Sequence, residues 1–185
     1  MIDMANQNRT LPDVLLRQWK EEDLERYVDM NADPEVMRFF PSILSRSETE
    51  ASYLRIKSKI EENGWGLWAV EIEGLFAGFT GLAQPTFTAH FTPCVEIGWR
   101  FRKEYWGKGY AYAAALKAEA YAFQTLKLEE LVSFTSQWNS PSMRLMERLG
   151  FTRDPKEDFD HPRIPIDHPI CRHVLYRKNK KDWEY

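Results

Sequence analysis

The sequence predicts an α+β fold, a layered arrangement with helices on the faces of a sheet. The order of the elements leads there: helical segments come first, a β meander follows, and strands then alternate with helices to the end. With 185 residues, 43% of them apolar, the chain has room for one full core.

Residues 1–11 are polar and read as a flexible tail, followed by a single domain over 12–177 and a basic tail over 178–185. The domain opens with V-L-L-R-Q-W at 14–19, apolar and aromatic as a first strand requires. Residues 21–31 are acidic at the start and apolar at Leu24, Tyr27 and Val28, the pattern of an amphipathic helix with favourable charge at its N-terminus. Asp33-Pro34 introduces a second short helix, E-V-M-R-F-F, which stops at Pro41. Ser45, Ser47, Glu48 and Glu50 form two overlapping capping boxes. The helix they start carries Tyr53, Ile56 and Ile60 on one face and ends at Asn63-Gly64.

Residues 67–72 and 75–82 read as an antiparallel hairpin turning through Glu73-Gly74. A proline-flanked loop over 84–93 leads to a strand at 95–101, where Val95, Ile97, Trp99 and Phe101 alternate with Glu96, Gly98 and Arg100. A turn holding Gly107 and Gly109 follows, then a helix over 110–126, rich in Ala, Leu, Lys and Glu. Residues 128–136 read as another strand. Ser140 as N-cap and Pro141 in the first helical position start a helix over 143–149, and Gly150 suits its left-handed end. Residues 151–153 begin a sixth strand, 154–169 read as a long loop, and 171–176 as the last strand.

Composition narrows the function. A formal charge of −3 without a basic block or stripe argues against nucleic acid as a partner. Two cysteines, Cys94 and Cys171, make no disulfide framework and suit a reducing compartment. No apolar run reaches spanning length, and the start MIDMANQN does not read as a signal peptide, so a cytoplasmic protein without membrane association is expected. The histidines and acids of 154–173 match no usual ligand spacing, so no metal is expected.

The stretch 95–123 carries the chemistry. Strand, glycine turn and helix N-terminus together make a concave row of backbone N–H groups, a natural seat for phosphate. Ala111, Ala113, Ala114 and Ala115 let the helix lie close to the sheet, and Lys108 adds a cation. Neither G-x-x-x-x-G-K-[ST] nor G-x-G-x-x-G occurs, which disfavours ATP and dinucleotides.

Three motifs in order, V-E-I-G-W-R-F, Y-W-G-K-G-Y-A and N-S-P-S-M-R-L-M-E-R-L-G-F, resemble the GNAT superfamily of acetyl-CoA-dependent N-acetyltransferases. Among these the chain looks most like the ribosomal-protein N-terminal acetyltransferases. The likeness runs over about 15–176 and is most specific across 95–151. It implies a mixed, mainly antiparallel sheet of six to seven strands, in which 95–101 and 128–136 splay apart to admit the pantetheine arm. It implies acetyl-CoA as co-substrate and an amine acceptor, either a protein N-terminus or a small molecule.

The resemblance also implies site residues. Trp106, Gly107, Lys108, Gly109, Tyr110 and Ala111 correspond to the family's pyrophosphate loop, with Trp106 standing where Gln or Arg is usual. Trp99, Arg100 and Phe101 would lie along the cofactor, Glu96 would be the general base, and Asn139 would contact the cofactor or order the splayed strand. Many members place a Tyr proton donor seven residues after that Asn, but here the position is Met146. Ser142, near a helix start whose dipoles favour a thiolate, is the substitute donor. Asp158, Asp160 and His161 fall where the family's acceptor site has its border. Lacking a Ser-His-Asp or Cys-His constellation, the chain suits direct transfer better than a covalent acyl-enzyme. Two alternatives accompany this reading: a non-catalytic coenzyme A sensor, and an acyltransferase using another acyl-CoA. Exposed strand edges make a homodimer plausible.

Overall fold

The computed structural model describes residues 10–183. Eight strands form one sheet among them: β1 (Leu15–Arg17), β2 (Leu67–Ile72), β3 (Leu75–Ala83), β4 (Glu96–Phe101), β5 (Glu130–Ser136), β6 (Thr152–Arg153), β7 (Phe159–Asp160) and β8 (Arg172–Asn179). The order is β1-β2-β3-β4-β5-β8-β6, with β7 pairing on β8. Every pair is antiparallel except β4–β5. This is the mixed, mainly antiparallel sheet expected, with one added strand, β7, of only two residues.

Four α-helices cover it: α1 (Asp23–Ala32), α2 (Arg46–Asn63), α3 (Tyr110–Ala120) and α4 (Ser140–Arg148). α1 and α2 lie on one face, where Tyr27, Met30, Tyr53, Ile56 and Ile60 pack on Ala69, Phe76 and Phe79. α3 and α4 lie on the other, where Ala115, Ala118, Met146 and Leu149 meet Leu82, Ile97, Leu131 and Val174. Alanines along α3 bring its axis close to the strands, which sets its N-terminus beside β4. The helix closes through a five-residue π turn, Tyr121–Thr125.

Local chemistry explains most boundaries. Ser45 caps α2, accepting from Glu48 N while Glu48 accepts from Ser45 N, so the first of the two capping boxes sets the start. Gly64, at φ 76°, ends the helix in the left-handed region.

Four expectations need correction. The short helix expected after Asp33-Pro34 is a run of turns, with one α-type bond from Met37 N to Asp33 O. Val36 and Met37 are buried, Arg38 and Phe40 are exposed and Phe39 lies between, so the apolar residues share no single helical face. At α4 the cap is Asn139, whose Oδ1 accepts from Ser142 N at 3.3 Å; Ser140 is already helical. The loop 154–169 contains β7, because Phe159 is buried opposite His173. Finally, β8 runs to Asn179, Lys178 is buried, and Trp183 packs on Phe123 with ring centroids 5.6 Å apart. Residues 178–183 therefore belong to the packed domain, whereas the tail expected over 1–11 lies mostly outside the described residues.

Candidate active site

β4 and β5 run parallel and register at a single pair, Glu96 with Val132, where Val132 N donates to Val95 O at 3.1 Å. Beyond that point they part. On its other edge β4 stays fully paired with β3. Arg102 N donates to Ala77 O at 3.0 Å, which fixes the phase of that ladder. The backbone groups of Glu96, Gly98 and Arg100 thus face β3, and those of Ile97, Trp99 and Phe101 face the gap. Ser133 Oγ donates to Ile97 O at 2.9 Å and Trp106 Nε1 to Phe101 O at 2.8 Å. The backbone of Trp99, between those two bonded carbonyls, lines the opening.

A cavity of about 900 Å³ fills this gap and passes through the sheet. On the α3/α4 side its walls include Trp99, Phe101, Ala111, Tyr112 and Ser142; on the α1/α2 side they include Glu96, Gly98, Arg100, Phe79 and Phe134. The two sets follow from strand alternation, since Phe79 pairs with Arg100 and packs under α1 and α2, while Ile97 packs under α3 and α4.

The α3/α4 mouth fits a phosphate-bearing ligand. Gly107 and Gly109 adopt φ of 71° and 88°, and Gly109 is the N-cap of α3, so the loop presents N–H groups at the positive end of the helix. Trp106, Gly107, Gly109 and Ala111 line the cavity; Lys108 and Tyr110 do not. Lys108 Nζ donates to Glu104 O at 2.7 Å, and Tyr110 packs edge-on against Tyr105. Trp106 ties the loop to the end of β4 through its indole N–H. Asn139 joins β5 to α4, donating from Nδ2 to Thr135 Oγ1 at 2.9 Å while capping the helix. Ser142 Oγ lies in the first turn of α4 and accepts from Trp99 Nε1 at 3.4 Å.

Glu96 stands at the narrow end of the splay. Among the described residues no cation lies within ion-pair distance of it, and burial pushes its carboxyl up to about 8. The strand neighbour that could have neutralised it, Arg100, turns away to donate from Nη1 to Asn31 Oδ1 at 2.7 Å. His161 and His173 line the same wall with ring centroids 5.0 Å apart. Burial, then the neighbouring His173 and Arg163, bring His161 down to about 4, so its ring is neutral at pH 7. Asp158 and Asp160 do not line the cavity; they pair with Arg153 and Arg172. Among the described residues no group of three or more His, Cys, Asp or Glu side chains could hold a metal ion.

Sequence reasoning missed five arginine and aromatic contributors. Arg144 and Arg148 line the cavity near the glycine turn, and Arg148 stacks 3.9 Å from the Tyr112 ring centre. Their spacing of four on a helix was a readable signal. Arg38, Phe40 and Arg163 also line it, but they come from loops whose placement no local pattern encodes.

Comparison with known proteins agrees with this geometry. Residues 13–152 match the family model for the acetyltransferase (GNAT) domain. The FsC-acetyl coenzyme A-N(2)-transacetylase of Aspergillus fumigatus is 30% identical over 166 residues, 85% of this chain and 71% of that protein. The uncharacterized N-acetyltransferase YnaD of Bacillus subtilis is 26% identical, covering 92% of this chain and 95% of its own. Among solved structures, an acetyltransferase from Agrobacterium tumefaciens superposes with a TM-score of 0.71 at 27% identity, covering 90% of each chain. Among the described residues no helix is long and apolar enough to cross a membrane. By these matches the chain belongs to the GNAT acetyltransferase family and uses acetyl-CoA as its co-substrate.

Proposed function

We propose that this protein acetylates a primary amine by direct transfer, with acetyl-CoA entering from the α3/α4 face and the amine from the α1/α2 face. The observation that carries the reading is the through-sheet cavity at the single β4–β5 contact, with a carboxyl on one side and a helix N-terminus on the other. Bound acetyl-CoA supplies an activated thioester. The Gly107–Gly109 turn and the start of α3 offer N–H donors to a pyrophosphate, and Arg144 and Arg148 add charge beside them. The backbone of Trp99 offers a donor and an acceptor to an extended arm, as an added strand would.

Glu96 is the base in this reading. A carboxyl pushed up to about 8 is matched to withdrawing a proton from an amine near neutral pH. Ser142 holds the acid: with Trp99 Nε1 donating to its oxygen, its own hydroxyl hydrogen is free to be given to a departing thiolate. Met146, where many relatives carry a donor, is buried in the core with 1% of its surface exposed. The family resemblance implies a protein N-terminus or a small-molecule amine as acceptor.

Thiol release from acetyl-CoA across a panel of amines, with products identified by mass spectrometry, tests the reading. Acetyl-CoA-dependent formation of an acetylated amine is the expected result. Tight coenzyme A binding without thiol release would favour a sensor module, and faster turnover of a longer acyl-CoA would assign another donor.

A further inference from the structure

We propose that the acceptor is an amine carrying a carboxylate, and that Arg100 binds this carboxylate on the α1/α2 wall of the cavity. The inference rests on the acetyltransfer reading and adds the substrate class. Arg100 is a guanidinium placed inward without a counter-ion: among the described residues no carboxylate pairs with it. Its hydrogen bond goes to a neutral group, Asn31 Oδ1, and its plane is stacked 4.0 Å from the Phe40 ring centre and 5.4 Å from that of Phe79. Its Nε is fully buried and has no hydrogen-bond partner. A charge held away from water with an unused donor is costly unless something else meets it.

The neighbouring charges point the same way. Arg38 and Arg163 line the same mouth, and neither forms an ion pair among the described residues. Arg163 spends its donors on Thr86. The acids of the lining are Glu35 and Glu96. Glu35 is held by Lys103 at 3.2 Å, and Glu96 is the group assigned to the amine. An acceptor entering here passes three guanidiniums, a field that attracts an oxyanion and opposes a polycation.

The floor between the two ends is open. Gly98 lies between Glu96 and Arg100 on β4 and faces Gly81 across the ladder, so that row carries no side chain. A Cβ placed on Gly98 would meet only Glu96 Oε1, at 3.8 Å. Four residues of strand separate Glu96 and Arg100, about 13 Å between their Cα atoms. Glu96 leans over that span, its Oε1 lying 3.8 Å from a Cβ placed on Gly98, and the Arg100 guanidinium closes the far end against Phe40. The amine would sit toward Glu96, the carboxylate toward Arg100, and an apolar spacer between them over Gly98, beside Phe40 and Phe134.

The test is binding of matched ligands to the coenzyme A-loaded protein, 6-aminohexanoate against hexylamine, with spermidine as a third. The carboxylate should tighten binding about tenfold or more, the size of a charge-assisted contact. In Arg100→Gln the ratio should collapse toward one with coenzyme A affinity unchanged, and Arg100→Lys should restore part of it. Equal binding of the pair, tighter binding of spermidine, or an unchanged ratio in Arg100→Gln overturns the proposal and leaves Arg100 an anchor for the 33–41 loop. Should Arg100→Gln not fold, the wild-type ratio and competition by hexanoate decide alone. Failure of the chain to bind coenzyme A would instead strike the acetyltransfer reading, and the oxyanion preference would still be measured on the free protein.

Discussion

Trp99 Nε1 donates to Ser142 Oγ at 3.4 Å, linking β4 to the first turn of α4 across the place where the sheet opens. The bond uses one lone pair of the serine and leaves its hydrogen available to another acceptor. Removing the hydroxyl should therefore act on turnover more than on binding. In Ser142→Ala, kcat should fall about 100-fold, the usual worth of a positioned acid, while KM for acetyl-CoA stays within about twofold. Steady-state kinetics with varied acetyl-CoA checks this; a raised KM with kcat intact would assign Ser142 to binding only.

Glu96 should govern the pH dependence. With its carboxyl raised to about 8, kcat/KM should climb as pH rises through that value, and Glu96→Gln should flatten the climb and lower the plateau about 100-fold. An unchanged pH–rate profile in Glu96→Gln would remove the base from this position.

The same shift has a stability counterpart. The folded protein holds the Glu96 proton more tightly than the unfolded chain, whose value is near 4.5. The native state therefore binds more protons between 4.5 and about 8, and the stability this group contributes is present below 4.5 and lost as pH rises across that window. Thermal melts should show Glu96→Gln gaining on the wild type from pH 5 to pH 8, and a constant difference would contradict the shift.

Gly109 holds φ at 88° where the turn becomes α3. A Cβ there meets only Pro12, at 3.7 Å, so space is not the obstacle; conformation is. Gly109→Val should cost about 1–2 kcal/mol in the left-handed region, lowering Tm by roughly 3–8 °C. KM for acetyl-CoA should rise as the N–H donors move. A variant that melts lower with acetyl-CoA affinity unaltered would separate the turn from the cofactor.

Lys178 forms an ion pair with Glu119 at 2.7 Å, with side chains 7% and 0% exposed, and donates to Leu149 O. Burial drives the Glu119 carboxyl up despite this partner. Lys178→Met leaves an unpaired acid on the buried face of α3 and should cost about 3–5 kcal/mol, whereas the double variant with Glu119→Leu should recover much of it. Denaturant titration of both separates a buried pair from simple packing.

The parts of the site legible in the sequence are those a short window encodes. The alternation through Ile97, Trp99 and Phe101, the glycines at 107 and 109, and the Asn139–Pro141 helix start all depend on neighbours within a few residues. Even there the cap fell one residue early, because Asn139 and Ser140 have nearly equal preference and only the bond to Ser142 N decides between them. The splay of β4 from β5 was reached only through family resemblance, since parallel partners 36 residues apart, such as Glu96 and Val132, share no local pattern. The cavity's basic mouth was beyond both routes. Arg38 and Arg163 stand 125 residues apart and meet only because the loops bearing them close over the same sheet face.

A passage through the sheet, unlike a groove along it, has two doors. In the proposed arrangement donor and acceptor enter by opposite doors and need not wait on each other, so neither order of addition is imposed by shape. The thiol product can retreat toward α3 while the amide retreats toward α1, and each exit is clear without the other moving. Each product then competes only with the substrate that shares its door, coenzyme A with acetyl-CoA and the amide with the amine.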